Sequence, residues 1–342
     1  MQPEQMERAL GCWLGQLAGD ALGCMVEAQT SESIWAQWPN GLRDMGDGMV
    51  WNTLAGQPSD DSELAMELAY ALKETYPRFE PNVVAFHYRN WRDSQPFSAG
   101  KTIRQAVNGH YSVNLSFMAE SFERQADKNS LANGALMRQS PLGIWGYAKE
   151  PTELAEYARL DARLTHPHPV CREASAVFVV TLAQVISQGL SAKEAYECAL
   201  DFQKQYGTEP SVLDAITRAR APELVKPPYS PHSGHVLLTL HNAFYQLLHA
   251  NDLESVIVDT VMLGGDTDTN AAVAGALAGA VYGSGQVPLR WRNAFDACAP
   301  DKDLGAKQPR PERYWPGHYR ELVLALVEAP KPKKVRAKFG EW

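Results

Sequence analysis

Gly264-Gly265-Asp266-Thr267-Asp268-Thr269-Asn270 runs directly into Ala271-Ala272-Val273-Ala274-Gly275-Ala276-Leu277-Ala278-Gly279-Ala280-Val281-Tyr282, and the reading of this stretch decides the fold. Its apolar residues recur at three- and four-residue spacing, the period of a helix. The Gly-Gly pair ahead of it is a turn. Six alanines together with Gly275, Gly279 and Gly283 leave almost no side-chain bulk on one face, so a neighbouring helix can approach closely. Asp266 and Asp268, at the head of such a helix, are therefore expected near the centre of a bundle rather than at its surface.

The same period recurs in Met6 to Leu22, Glu63 to Glu74, Val83 to Trp91, Thr152 to Leu164, Arg172 to Gln188, Ala192 to Gln205, Val236 to His249 and Leu253 to Leu263. The alternation that marks strands is weak throughout. The expected fold class is all-α. Turn signals such as Trp38-Pro39-Asn40-Gly41, Gly56-Gln57-Pro58 and Pro227-Pro228-Tyr229-Ser230-Pro231 are spread too evenly to mark a boundary, and no fixed-period repeat is present. Residues 1–328 read as one helical domain. Residues 329–342 carry five basic residues, Lys331 to Lys338, against Glu341 alone, and read as a solvated, mobile basic tail without a role.

Composition narrows the function classes. With 45 % hydrophobic and 21 % charged residues over 342 positions, the chain is neither disordered, collagen-like nor a disulfide mini-fold. A chain this long folds without needing a metal, so a metal site would serve chemistry. The net charge of −8, with basic residues dispersed, argues against a nucleic-acid footprint and requires local devices for any acidic ligand. Five cysteines without a C-x-x-C pair read as reduced thiols and place the protein in the cytoplasm. The opening stretch is a poor signal peptide, with Glu4 and Glu7 ahead of a run broken by Gly11, Gly15 and Gly19. The most apolar later segment, Ala271 to Gly283, is shorter than the ~20 residues of a bilayer span, so no membrane crossing is expected.

Two helix starts each carry two acids: Ser59-Asp60-Asp61-Ser62 and Asp266-Thr267-Asp268-Thr269. A cap needs only one oxygen side chain at the positive end of a helix. Two acids per turn, with the hydroxyls of Ser59 and Thr269, instead form a set of hard oxygen ligands suited to Mg2+ or Mn2+. Spacing alone leaves paired capping and metal binding equally open. Asp20 and Glu27 lie seven apart and share a face if the first helix continues through Gly23. An acid beside a bound cation can serve as general base, although by spacing alone Glu27 reads as a surface glutamate. His166, His168, His232, His235 and His241 lack zinc-motif spacing and read as loop-fixing or ligand-stacking groups. The nine tryptophans show no stripe and read as core.

Taken in order, Gly19-Asp20-Ala21-Leu22-Gly23 with Glu27, Ser59-Asp60-Asp61-Ser62, Asn133-Gly134-Ala135-Leu136-Met137-Arg138, Thr165-His166-Pro167-His168-Pro169 and Leu263-Gly264-Gly265-Asp266-Thr267-Asp268-Thr269 resemble the ADP-ribosylglycohydrolase family, over roughly residues 8 to 285. The resemblance implies an orthogonal multi-helix domain with two divalent cations, Mg2+ or Mn2+, that cleaves an N- or O-glycosidic bond to ADP-ribose on a modified macromolecule or small molecule. It implies Ser59, Asp60 and Asp61 as one ligand group and Asp266, Asp268 and Thr269 as the other, Glu27 and Asp61 as catalytic acids, and Gly100, Asn133, Gly134 and His166 in the substrate pocket. Ser59 stands where many members have Thr; either hydroxyl can coordinate a hard cation.

Ser98-Ala99-Gly100-Lys101-Thr102 resembles the family's small-residue loop near the phosphates. It is no P-loop, because Gln95 stands where the first glycine is required. The implied partners are an ADP-ribosylated protein or small molecule and a cognate ADP-ribosyltransferase. The alternatives are hydrolysis of a free ADP-ribose derivative, or a non-catalytic ADP-ribose-binding or immunity protein that blocks such a transferase. Oxygen side chains at all six ligand positions favour the enzyme.

Overall fold

The computed structural model describes residues 1–108, 115–222 and 234–328. His232, the Pro227–Pro231 turn and the basic tail from residue 329 lie outside the described residues. In chain order the helices are α1 (Pro3–Cys24), α2 (Ser31–Gln37), α3 (Asp60–Thr75), α4 (Pro81–Asp93), α5 (Lys101–Val107), α6 (Met118–Gln125), α7 (Ser140–Trp145) and α8 (Pro151–Arg163). They continue with α9 (Pro169–Gln188), α10 (Ala192–Tyr206), α11 (Pro210–Arg218), α12 (Val236–His249), α13 (Leu253–Val261), α14 (Thr267–Tyr282), α15 (Leu289–Ala297) and α16 (Tyr319–Val327). No strand forms among the described residues, and the domain is all-α. Each of the nine expected helices is present. The seven that periodicity did not reveal, α2, α5, α6, α7, α11, α15 and α16, span only six to nine residues, which leaves few turns in which a period can show.

The centre of the fold is the antiparallel pair α1 and α14. Every residue of α1 from Ala9 to Cys24 is buried, as is every residue of α14 from Thr267 to Ala280. The pair meets backbone to backbone along a seam of four-residue spacing. A Cβ on Gly15 would lie 2.0 Å from the Gly275 carbonyl oxygen, and one on Gly11 2.2 Å from that of Gly279. Further along, a Cβ on Gly19 would lie 2.0 Å from the Ala271 oxygen and one on Gly23 2.4 Å from that of Thr267. Any side chain on this seam would push the helices apart. Around the pair, α12 and α13 pack on α14, while α9 packs against α7, α8 and α10.

α9 corrects the length argument on membrane spans. Its 20 residues are long and apolar enough to cross a bilayer, yet 83 % of its most apolar window is buried within the protein, as in a core helix.

The segment after α15 straps the outer face of α3. Arg310 holds Glu63 through two hydrogen bonds, 2.7 and 2.8 Å, and also donates to Ser94. Arg313 and Tyr314 both donate to the buried Glu67.

Candidate active site

The seam sets where the acids meet. Because it ends with Gly23 against Thr267, the chain leaving α1 passes beside the start of α14, and the Thr267 hydroxyl donates to the Gly23 carbonyl at 2.7 Å. α1 stops at Cys24, so Glu27 does not share a helix face with Asp20. It sits in the following turn, where Ala28 adopts a left-handed φ of 63°. Ala28 N–H donates to the Gly265 carbonyl and Gly265 N–H to that of Gln29, each at 2.8 Å, which fastens this turn to the Gly-Gly turn ahead of α14. One carboxylate oxygen each from Glu27, Asp266 and Asp268 consequently lies within 4.8 Å of the others.

The start of α3 arrives from the other side. Asp20, fully buried, accepts hydrogen bonds from the Ser59 and Ser62 backbone N–H groups at 2.9 Å each, so it clamps the first turn of α3. Ser59 is the cap: its hydroxyl accepts from Asp61 N–H and donates to Asp61 Oδ2. Asp60 Oδ1 accepts from the Ser98 hydroxyl at 2.5 Å and Oδ2 from Gly100 N–H at 3.2 Å. Asp61 Oδ1 is buried without a partner.

These groups surround a cavity of about 570 Å³. Glu27, Asp60, Asp61, Asp266, Asp268 and Thr269 line it, as do Gly100, Asn133, Gly134 and His166. Ser59 is the one expected site residue that does not reach it; it is fully buried behind Asp61. Gly100 N–H is taken by Asp60 rather than left free for an anion. The Asn133 amide nitrogen is likewise engaged, donating to Asp266 Oδ2 at 2.8 Å and to Thr239 Oγ1 at 2.9 Å. A Cβ on Gly134 would lie 3.1 Å from His166 Cε1, so only a glycine fits against the imidazole edge without displacing it. His166 is fully buried, with Nδ1 2.8 Å from the Thr165 hydroxyl and Nε2 without a partner. His168 and His235 cap the starts of α9 and α12.

Trp51, Phe97 and Arg104, which the sequence reading did not single out, also line the cavity. Trp51 Nε1–H donates to Glu27 Oε2 at 2.5 Å, and its ring lies 6.0 Å from that of Phe97. Lys101 and Arg104, one turn apart on α5, are the cations of the lining. No local pattern marks Trp51, because its contact with Glu27 exists only in the folded chain.

The sequence profile described as ADP-ribosylglycohydrolase matches residues 1–313. The chain belongs to the ADP-ribosylglycohydrolase family. It is 26 % identical over 295 residues to the ADP-ribosyl-[dinitrogen reductase] glycohydrolase of Rhodospirillum rubrum, covering 86 % of this chain and 92 % of that one. It is 26 % identical to the ADP-ribosylhydrolase ARH3 of Bos taurus (85 % and 89 % covered) and 23 % identical to the ADP-ribosylarginine hydrolase Tri1 of Serratia proteamaculans (85 % and 75 % covered). A solved structure titled ADP-ribosylglycohydrolase-related protein complex superimposes with a TM-score of 0.73 at 26 % identity, over 95 % of this chain and 98 % of that one.

In this ADP-ribosylglycohydrolase-family chain burial and mutual repulsion raise several of the acids. Burial pushes Glu27 up to about 7, with repulsion from Asp266, Asp60 and Asp20 adding and the Trp51 hydrogen bond opposing. Burial and then the neighbouring acids hold Asp61 and Asp268 well above the usual carboxylate range. Burial also raises Asp60, and raises Asp20 to about 6. The leading charges acting on Glu27, Asp61 and Asp268 are other carboxylates. Buried carboxylates that form no ion pair among the described residues, one of them with an unpartnered oxygen, suit a hard cation. The residues present therefore fit a divalent metal centre.

Proposed function

We propose that this family member is a metal-dependent hydrolase that cleaves a glycosidic bond to ADP-ribose, releasing it from a modified protein or small molecule. The observation that carries the reading is the meeting of Glu27, Asp60, Asp61, Asp266 and Asp268 on one cavity, none of them ion-paired among the described residues. The relatives named above, whose names specify ADP-ribosyl groups, support the same substrate class.

Asp60, Asp61, Asp266, Asp268 and Thr269 would hold two divalent cations, Mg2+ or Mn2+, with Ser59 orienting Asp61. Such ions supply Lewis acidity to ribose hydroxyls and lower the pKa of a bound water. Glu27, fixed by Trp51, handles the proton at the bond that breaks through an oxocarbenium-like state. Asp61 would act beside Glu27 through Oδ1, its oxygen without a hydrogen-bond partner. Gly134 and His166 hold the nucleotide, and Lys101 and Arg104 offset the charge of its pyrophosphate, the local device that a chain of net charge −8 needs. The five free cysteines support a reducing, cytoplasmic location.

The test is a panel of substrates with ADP-ribose linked to arginine, serine, phosphate or nucleic acid, incubated with Mg2+ or Mn2+ and read by chromatography for free ADP-ribose. Release from at least one linkage is expected. No release from any of them by folded, metal-loaded protein contradicts hydrolysis and leaves a non-catalytic ADP-ribose-binding or immunity protein.

A further inference from the structure

The sequence motifs Asn133 to Arg138 and Thr165 to Pro169 are joined by a buried chain of hydrogen bonds that the cavity lining alone does not reveal. Arg138 closes the short 3-10 turn Leu136–Arg138, and its side chain has no exposed surface. Its guanidinium donates from Nε to Asp161 Oδ2 and from Nη2 to the Asp161 carbonyl, each at 3.0 Å. The Tyr88 hydroxyl and the Gln139 amide also donate to Asp161, at 2.6 and 2.7 Å, and the guanidinium lies 4.3 Å from the Tyr88 ring centre. The fork is thus immobilised on two sides. Its third arm, Nη1, donates to Thr165 Oγ1 at 2.9 Å.

That contact constrains what Thr165 does next. Its oxygen already accepts from a cationic donor, which polarises the hydroxyl and makes it a stronger donor. The partner at 2.8 Å is His166 Nδ1, and Thr165 has no other side-chain partner among the described residues. If Nδ1 carried the ring proton, both lone pairs of the Thr165 oxygen would be occupied by N–H donors and its own proton would be buried unpaired. With the proton on Nε2, every group in the chain is satisfied up to Nε2–H itself. Nε2 is the atom left without a partner, on a residue that lines the cavity and beside Gly134, which carries no side chain to cover it.

We propose that Thr165, polarised by Arg138, locks His166 in the tautomer with its proton on Nε2, so that the ring presents a single fixed donor to a ligand oxygen in the cavity. Thr165 and Arg138 are positioning residues that act through His166. Burial, and then the Arg138 charge, push the imidazole down to about 3, so the ring stays neutral and keeps Nδ1 free to accept. The ligand oxygen is taken to belong to ADP-ribose, and in that clause alone the inference rests on the function proposed above.

The test has two independent arms. Nitrogen-15 NMR of histidine-labelled, ligand-free protein reads the tautomer directly in wild type, Thr165→Val and Thr165→Ser. The expected result is Nε2–H in wild type and in Thr165→Ser, with loss of the single tautomer in Thr165→Val. A wild-type ring protonated on Nδ1, or a Thr165→Val ring that keeps pure Nε2–H, overturns the lock, and the first of these needs no variant to fold. Calorimetric titration of ADP-ribose then reads the ligand: the dissociation constant should rise about tenfold in Thr165→Val and in His166→Ala, and recover in Thr165→Ser. If the tautomer shifts as expected while ADP-ribose binds equally to all four proteins, the lock stands and the ADP-ribose assignment of the cavity fails.

Discussion

The two acid-rich helix starts look alike in sequence and differ in what the fold does with them. At the head of α3 three of the four carboxylate oxygens are engaged, Asp60 by Ser98 and Gly100, and Asp61 Oδ2 by Ser59, while Asp20 clamps the turn from below. Ser59 provides the cap there, so neither acid is needed for capping. At the head of α14, Asp266 occupies the cap position without making a cap hydrogen bond. Its carboxylate has one partner among the described residues, Asn133, and it leans toward Glu27 and Asp268 instead. Asp268 Oδ1 does accept from Thr269 N–H at 2.8 Å, so capping accounts for one oxygen of the α14 pair and for neither acid of the α3 pair. The α3 half is a pre-set anchor with one open oxygen, and the α14 half is a looser group gathered around Glu27.

The sharpest way to break this comparison is to remove the proton-handling acid at its looser end. Glu27→Gln should retain the Trp51 hydrogen bond, keep ADP-ribose binding and lose about a hundredfold or more in turnover. Near-normal turnover in steady-state kinetics would return the role to another acid. A smaller effect separates the two halves themselves. Asn133→Ala removes the one hydrogen bond on Asp266 and should weaken Mn2+ binding by about tenfold or more. Ser98→Ala leaves Asp60 held by Gly100 N–H and should cost less. Calorimetric Mn2+ titrations that reverse this order would show that the α3 half is the looser one.

The smallest expected effect is on metal-free stability. Glu27, Asp61 and Asp268 are raised above their unfolded values, so the folded form binds more protons than the unfolded chain. From these groups, stability is highest near pH 4 and falls as pH rises through about 7. Asp268→Asn relieves part of the repulsion, so its melting temperature in chelator should exceed that of wild type, more so at pH 8 than at pH 5. Equal melting curves at both values would mean that the cluster stores no such repulsion.

How much of this was legible follows from where the information resides. Eight of the nine readable helices span 13 residues or more, enough turns to show a period, while the nine-residue α13 shows one because its apolar pattern runs on to Leu263; the acids at the heads of α3 and α14 stand beside clear turn signals. The small-residue face of α14 was visible, but its partner was not recognised. In sequence Gly11, Gly15 and Gly19 look like breaks in an apolar run, yet with Gly23 they repeat the same four-residue spacing as Gly275 and Gly279. Asp20 was read as a candidate proton carrier, whereas the fold commits both of its oxygens to α3. Trp51 and Arg138 were illegible for one reason: their roles depend on Glu27, Thr165 and Asp161, which lie 23 to 27 residues away and meet them only through tertiary packing.

The central claim is that the two helix starts form one cation site on which turnover depends. The direct measurement is ADP-ribose release by protein stripped with chelator, shown metal-free by elemental analysis, and then titrated with Mn2+. Turnover should vanish on stripping and return with the added ion in wild type, while Asp61→Asn and Asp268→Asn remain inactive across the titration although folded. Full turnover by the metal-free protein would contradict the account.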